Sequence, residues 1–347
     1  MQGVPHAARK ASNQESLAKA LAMVRFERPT WKDFAAGGRA RRRWLIHWFW
    51  DLPLDGLQWA LFHVFGVLPI GLVSGFGGLF ARIVAPRFFP DAMVRAVTNL
   101  RWLEPTWSED RIREVATRHF DSVGRLKAEF CVLHRLMPSG RISVENAELA
   151  KETMTAGPVI LVGCHLGNWE VLSPVMKELD FPVFDIFEPQ PSRMQTRLAL
   201  QVRANTGPAG SVAFARNANA PRAAIKWLRG GGVLIMFCDE AVRDISAAPF
   251  FGRPPHLDSN YAFAARLARL TDATLLPFHV LRRPGCRYTL RFDSPVRLTP
   301  RDKPGDHLLE DVAQLNSVVE PLVRAHLDQW FWLNWSFAGV DYSARRP

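Results

Sequence analysis

From about residue 155 the chain alternates short aliphatic runs with stretches of helical spacing, and that alternation admits few folds. Pro158-Val159-Ile160-Leu161-Val162-Gly163-Cys164 is a β-branched and aliphatic run, as expected of a strand covered on both faces. The pattern predicts strands over 158–164, 182–187, 211–215 and 232–238, separated by helices over 168–179, 192–205 and 220–229. A Pro/Gly-rich loop over 247–256 follows. Beyond it the spacing predicts a helix over 258–271, strands over 273–281 and 287–293, and a helix over 307–327. Arg283-Pro284-Gly285-Cys286 reads as the hairpin turn between those last two strands. The expected fold is α/β, a mixed, largely parallel sheet flanked by helices.

The first 140 residues have another character. Residues 1–43 hold ten Lys/Arg against three acids, a local charge of +7, and read as a flexible basic arm. Residues 44–140 read as helical, and residues 141–347 as the α/β domain. Within the helical part, Gly56 to Ala81 carries no charge at all. Its length suffices to cross a bilayer, but Pro69 and five glycines would break an isolated helix. A span, a broken hairpin in one leaflet and a buried helix pair all fit. Trp44-Leu45-Ile46-His47-Trp48-Phe49-Trp50, beside Arg41–Arg43, resembles an interfacial aromatic belt and favours membrane association. The basic flank places the chain on the cytoplasmic side. A signal peptide is excluded, because the apolar run starts too late and is too long.

A net charge of +11 with 12 Trp calls for an anionic partner. Nucleic acid fits poorly: zinc-finger spacing, RNP-like aromatic strands and heptad-flanked basic regions are all missing. Cys131, Cys164, Cys238 and Cys286 show no paired spacing and read as reduced, structural thiols. With neither His-Glu-x-x-His nor Cys-x-x-Cys, no metal site is expected.

The chemistry concentrates in His165-Leu166-Gly167-Asn168-Trp169-Glu170, at a strand-to-helix handover, with Asn168 available as a helix cap. A histidine with a carboxylate beside it can take a proton from a hydroxyl while the carboxylate fixes its tautomer. A covalent route would need a nucleophile. The chain has no Gly-x-Ser-x-Gly elbow, and Cys164 points away from its strand neighbour His165. Other candidates lie at the same sheet edge. Asp239 and Glu240 end one strand, there to position an acceptor, to support His165, or only to pair with Arg243. Glu188 ends another. Arg193, Arg203, Arg216 and Arg253 are candidate anion binders. Phe250-Phe251-Gly252 either lines an acyl groove or plugs the core.

Gly163-Cys164-His165-Leu166-Gly167-Asn168-Trp169-Glu170 resembles the His-x4-Asp/Glu motif of the glycerolipid acyltransferase superfamily, in the form typical of bacterial lipid A biosynthesis acyltransferases. Further stretches follow in matching order: Arg203-Ala204-Asn205-Thr206-Gly207, the helix Ala223 to Gly230, Val233 to Asp239, Pro249-Phe250-Phe251-Gly252-Arg253-Pro254 and Trp330-Phe331-Trp332-Leu333. The resemblance runs from about residue 55 to 337. It implies a membrane-associated enzyme at the cell inner membrane that moves a fatty acyl chain from acyl carrier protein to a hydroxyl of a lipid A precursor. His165 would be the base, Glu170 its orienting carboxylate, and no cofactor would be required. Asn168, Glu188, Arg203, Asp239, Glu240, Phe251 and Arg253 are the candidate substrate contacts, with Arg203 and Arg253, which lie in the matching motifs, the favoured phosphate ligands. Glu188-Pro189-Gln190-Pro191 departs from the pattern, where Arg-Pro and Asn-Pro are more usual. That acid is closer to enzymes acting on phosphatidylinositol mannosides, so another glycolipid or a lysophospholipid acylated from acyl-CoA stays open, as does a non-catalytic lipid-binding protein.

Overall fold

The computed structural model describes residues 6–24, 28–190, 192–239, 241–242, 245–299, 307–337, 339–340 and 342. The N-terminal part is helical: α1 (His6–Met23), α2 (Trp31–Ala35), α3 (Gly38–Ile46), α4 (Leu52–Val67), α5 (Ile70–Phe88), α6 (Pro90–Leu103), α7 (Glu109–Glu129) and α8 (Leu133–Leu136). Then follow β1 (Ile142–Glu145), α9 (Ala147–Ala156), β2 (Val159–Gly163), α10 (Leu172–Leu179), β3 (Val183–Phe187), α11 (Arg193–Thr206), β4 (Val212–Ala215), α12 (Ala220–Arg229) and β5 (Val233–Phe237). The chain closes with β6 (Ala241–Val242), β7 (Ile245–Ser246), α13 (Asn260–Thr271), β8 (Thr274–Arg283), β9 (Arg287–Phe292), α14 (Leu308–Ala325) and β10 (Ser336–Phe337).

Seven strands form one sheet in the order β1-β9-β8-β2-β5-β3-β4. Every pairing is parallel except the β8–β9 hairpin, so the expected mixed, largely parallel α/β sheet is what forms. Strand β2 lies inside it between β5 and β8, and all five of its residues are buried. Its side chains alternate between two cores. Ile160 and Val162 join the core with α6, α7, α13 and α14, while Val159 and Leu161 join the one with α8, α9 and α10. Burial on both faces is why this strand reads as an unbroken aliphatic run. A second, three-stranded sheet, β10-β7-β6, sits beside the site.

Within the stretch read as a flexible basic arm, α1 packs on β4 and α11, with Ala20 buried against Phe187, Leu200 and Ala215. Leu17, Ala20, Leu21 and Val24 supply a helical stripe at that contact, and the Ser16 hydroxyl donates to the Ser211 carbonyl at 2.7 Å. Of the three readings open for the uncharged run, the buried helix pair does not fit. The run breaks at Leu68-Pro69 into α4, where no residue is buried, and α5, which buries one face. Arg135 Nη1 closes the end of α4 by donating to the carbonyls of Gly66 and Leu68, at 3.0 and 2.7 Å. Helix α5 lies backbone to backbone on α7, where a Cβ on Gly77 would stand 2.5 Å from Ala128 Cβ and from the Gly124 carbonyl oxygen.

Trp44 leaves the expected aromatic belt by packing on Trp31 and Phe34, whereas Phe49 and Trp50 stay 71% and 70% exposed. Among the described residues no single helix is long and apolar enough to cross a membrane. The pair α5 and α6, bent by 99° between them, passes by length and composition only. All four cysteines are buried and none forms a disulfide.

Candidate active site

Strand β2 ends at Gly163, whose missing side chain leaves room for the Phe278 ring: a Cβ there would lie 2.4 Å from it. The chain then turns out over the carboxyl edge of the sheet, and His165 emerges beside the end of β5. Gly167 holds the turn at φ +60, where any Cβ would strike the Val280 carbonyl oxygen at 2.6 Å. Its N–H donates to the Gln329 carbonyl, and Phe331 N–H donates to the His165 carbonyl at 2.9 Å. The aromatic closing segment is thereby tied to the loop.

His165 is fixed by Asp239, which lies two residues beyond β5 and is fully buried. The His165 backbone N–H donates to Asp239 Oδ2 at 2.6 Å, and Nδ1 lies 2.8 Å from Oδ1. Trp330 Nε1 donates to Oδ2 at 2.8 Å. A carboxylate only accepts, so this contact matches the tautomer with its proton on Nδ1, in which Nε2 is the basic nitrogen. The Trp332 indole N–H, 3.1 Å from Nδ1, competes for the same atom and cannot donate while that proton is in place. Rings surround the imidazole: Trp169 at 4.7 Å, Phe237 at 4.4 Å and Trp332 at 5.2 Å between centroids. Its side chain is 13% exposed.

Glu170, the orienting carboxylate in the reading from the motif, makes no hydrogen bond to His165 and pairs with Arg203 instead. The short turn Trp169–Val171 directs its carboxylate to Arg203, which donates from Nε at 3.0 Å and from Nη2 at 2.7 Å. Arg203 Nη1 also donates to Asp185 at 3.1 Å. Burial alone would raise the Glu170 pKa, but Arg203's charge and hydrogen bonds hold it below the usual glutamate value. Burial raises that of Asp185, which Arg203 only partly offsets. Arg203 is therefore committed to two carboxylates and is not a free phosphate ligand.

Other expectations change in the same way. Asn168 makes no cap bond; it is buried and donates to Glu129 Oε2 at 3.0 Å. Glu129 is the hub beneath the loop, accepting also from Ser74 at 2.6 Å, from Arg282 at 2.5 and 2.8 Å, and from the Tyr288 hydroxyl. Arg253 clasps its own loop, donating to the carbonyls of Phe250, Ser246, Ala247 and Pro249. Phe251 is a core residue, stacked on Phe337 and edge-on to Trp330, not a groove wall. Asp239 supports the histidine from below and is too buried to touch an acceptor. Glu188 is exposed at the end of β3, 3.7 Å from Arg216, and Arg193 is exposed at the start of α11. Glu240 and Arg243 lie outside the described residues.

Cys164 is no nucleophile either: burial, reinforced by Asp239, pushes its thiol pKa well up. Beside the loop opens a pocket of about 750 Å³, solvent at its mouth included. Leu17, Leu200, Val212 and Ile235 line its apolar wall, Asp185 and Arg203 its polar end, and Trp169 and Phe237, which also flank His165, line it too. Glu129, Asp185 and Trp330 were missed as participants. Only the aromatic segment around Trp330 carried a sequence signal.

Among solved structures, the chain is similar to the crystal structure of the 1-acyl-sn-glycerophosphate (LPA) acyltransferase PlsC from Thermotoga maritima. Identity is 15% and the TM-score 0.34, over 73% of this chain and 95% of that one. No curated protein sequence matches. The profile of the bacterial lipid A biosynthesis acyltransferases matches residues 43–338, most of the chain. The chain belongs to the bacterial lipid A biosynthesis acyltransferase family and is an acyltransferase.

Proposed function

We propose that this acyltransferase moves a fatty acyl chain from acyl carrier protein to a hydroxyl of a lipid A precursor, with His165 as general base and Asp239 as its orienting carboxylate. The observation that carries this reading is the pair of contacts that the Asp239 carboxylate accepts from the His165 backbone N–H and Nδ1, an arrangement in which Nε2 serves as the base. Nε2 takes the acceptor hydroxyl proton as the oxygen attacks the thioester carbonyl. The tetrahedral intermediate then collapses, the C–S bond breaks, and the imidazolium returns the proton to the departing thiolate. Asp239 stabilises that imidazolium through Nδ1–H. Glu170, Arg203 and Asp185 act together as a brace for the loop and as the polar end of the pocket. The basic surface gives the acidic carrier protein a docking face, and the exposed apolar face of α4 rests on the cytoplasmic surface of the inner membrane.

Transfer of a radiolabelled acyl chain from acyl carrier protein to a purified lipid A precursor, with native and His165→Ala protein, tests the assignment. Loss of a general base lowers the rate by about 10²–10⁴. Near-native turnover by the variant removes His165 from the mechanism. Transfer from acyl-CoA to a lysophospholipid in preference to this pair moves the substrate assignment elsewhere.

A further inference from the structure

Three of the arginines that the sequence offers as phosphate ligands are engaged, Arg203 by Glu170 and Asp185, Arg253 by backbone carbonyls and Arg216 by Glu188, while Arg193 is exposed at the start of α11. Lys127 differs. It stands in the last turn of α7, with its ammonium 5.4 Å from the centre of the Phe331 ring. Phe331 packs 5.1 Å from Trp169 and 6.4 Å from the His165 imidazole, so the ammonium lies one ring away from the base. Among the described residues Lys127 makes no hydrogen bond and no ion pair within 4 Å. Its side chain keeps solvent exposure. Crowding around the ammonium nevertheless lowers its pKa, partly offset by the nearby charge of Glu170. A cation held against an aromatic face and lacking a counter-ion attracts an anion arriving from solvent.

We propose that Lys127 is a substrate-binding cation of this site, and that its ammonium receives a phosphate group carried in by a reactant. The inference rests on the reading of His165 as the base. Two sources have this chemistry, the phosphopantetheine arm of the acyl donor and a sugar phosphate of the glycolipid acceptor. Lys127 thus takes the role expected for Arg203 and Arg253.

Binding to the full-length protein in detergent micelles separates the sources. The donor arm compares acyl-4′-phosphopantetheine with acyl-pantetheine, and the acceptor arm compares a diphosphorylated glucosamine-disaccharide lipid with its dephosphorylated form. Each ligand is titrated by calorimetry into native, Lys127→Ala and Lys127→Arg protein, with melting temperature as the folding control. Lys127→Ala is expected to weaken the phosphorylated ligand of one arm about tenfold or more, with its phosphate-free counterpart unchanged and Lys127→Arg near native. The arm that responds identifies the source. Equal weakening of phosphorylated and phosphate-free ligands, unchanged affinities throughout, or no phosphate-dependent binding by native protein overturns the proposal. Turnover of native against His165→Ala protein reports separately on the acyl-transfer reading, because binding needs no base.

Discussion

Asp239 binds His165 twice, through the backbone N–H at 2.6 Å and through Nδ1 at 2.8 Å, although 74 residues separate them. Asp239→Asn keeps the size of the side chain and an oxygen for the backbone N–H or for Trp330. Its amide N–H₂ would face Nδ1, however, and drive the imidazole toward the tautomer protonated at Nε2. The expected result is a fall in kcat of about 10²–10⁴ with little change in melting temperature. A variant with native kcat would show that another group sets the tautomer.

Glu170 makes the contrasting case. Glu170→Gln leaves Arg203 with one ionised partner, Asp185, and leaves the His165–Asp239 bonds untouched. The brace weakens, which costs about 1–3 kcal/mol of stability, while kcat falls less than in Asp239→Asn. Thermal melts and initial rates on the two variants decide between a bracing and an orienting carboxylate. A kcat loss from Glu170→Gln as deep as that from Asp239→Asn would restore Glu170 to the histidine.

The sheet was legible because each interior strand is buried on both faces and each crossover helix carries its own period. The predicted helix over 220–229 coincides with α12, and the boundaries of β2 to β5 fall within one residue of the expected ends. The two-residue strands β6, β7 and β10 are too short to show any period. The place of His165 at the carboxyl edge of the sheet was legible because it follows β2. Its partner was not settled, because sequence proximity favoured Glu170, five residues away, and only the parallel pairing of β2 with β5 brings Asp239 beside it. Arg203 and Arg253 are a related case: composition counts a guanidinium as available, and only the fold shows which carboxylates and carbonyls it meets.

Burial of His119 on α7 sets a pH dependence of stability. The imidazole is fully buried, neither of its nitrogens has a hydrogen-bond partner among the described residues, and burial lowers its pKa from 6.5 to about 4. Well above pH 6.5 folded and unfolded states both carry it neutral, so stability does not change there through His119. As pH falls from 6.5 toward 4 the unfolded state binds a proton that the folded state refuses, and stability drops. The loss is about 2 kcal/mol by pH 5 and approaches roughly 3 kcal/mol near pH 4. His119→Phe should flatten the melting-temperature profile between pH 6.5 and 5. His134 and His326, also lowered by burial, remain in both proteins and cancel in the comparison. Parallel profiles for native and variant protein would place the acid sensitivity elsewhere.

The N-terminal surface should decide where the enzyme sits. Phe49 and Trp50 project into solvent, and Leu57, Trp59, Leu61 and Val64 continue the exposed apolar surface along α4. Leu72, Phe76, Leu79 and Phe80 add the outer face of α5, whose inner face is buried on α7. Contiguous exposure on this scale is rare on a protein surface facing only water. Arg41, Arg42 and Arg43 lie just before it and are exposed, each contributing about 1 kcal/mol of attraction to an anionic bilayer. A fully inserted aromatic side chain contributes about 1.5–3 kcal/mol. Phe49→Ser with Trp50→Ser should therefore lower partitioning onto vesicles of any charge by tenfold or more. Neutralising Arg41–Arg43 should weaken it only on anionic vesicles, and only at low salt. Flotation assays with neutral and anionic vesicles across a salt series separate the two contributions. If both variants float as the native protein does, the membrane contact lies on another face, and α4 has to be covered by something other than lipid.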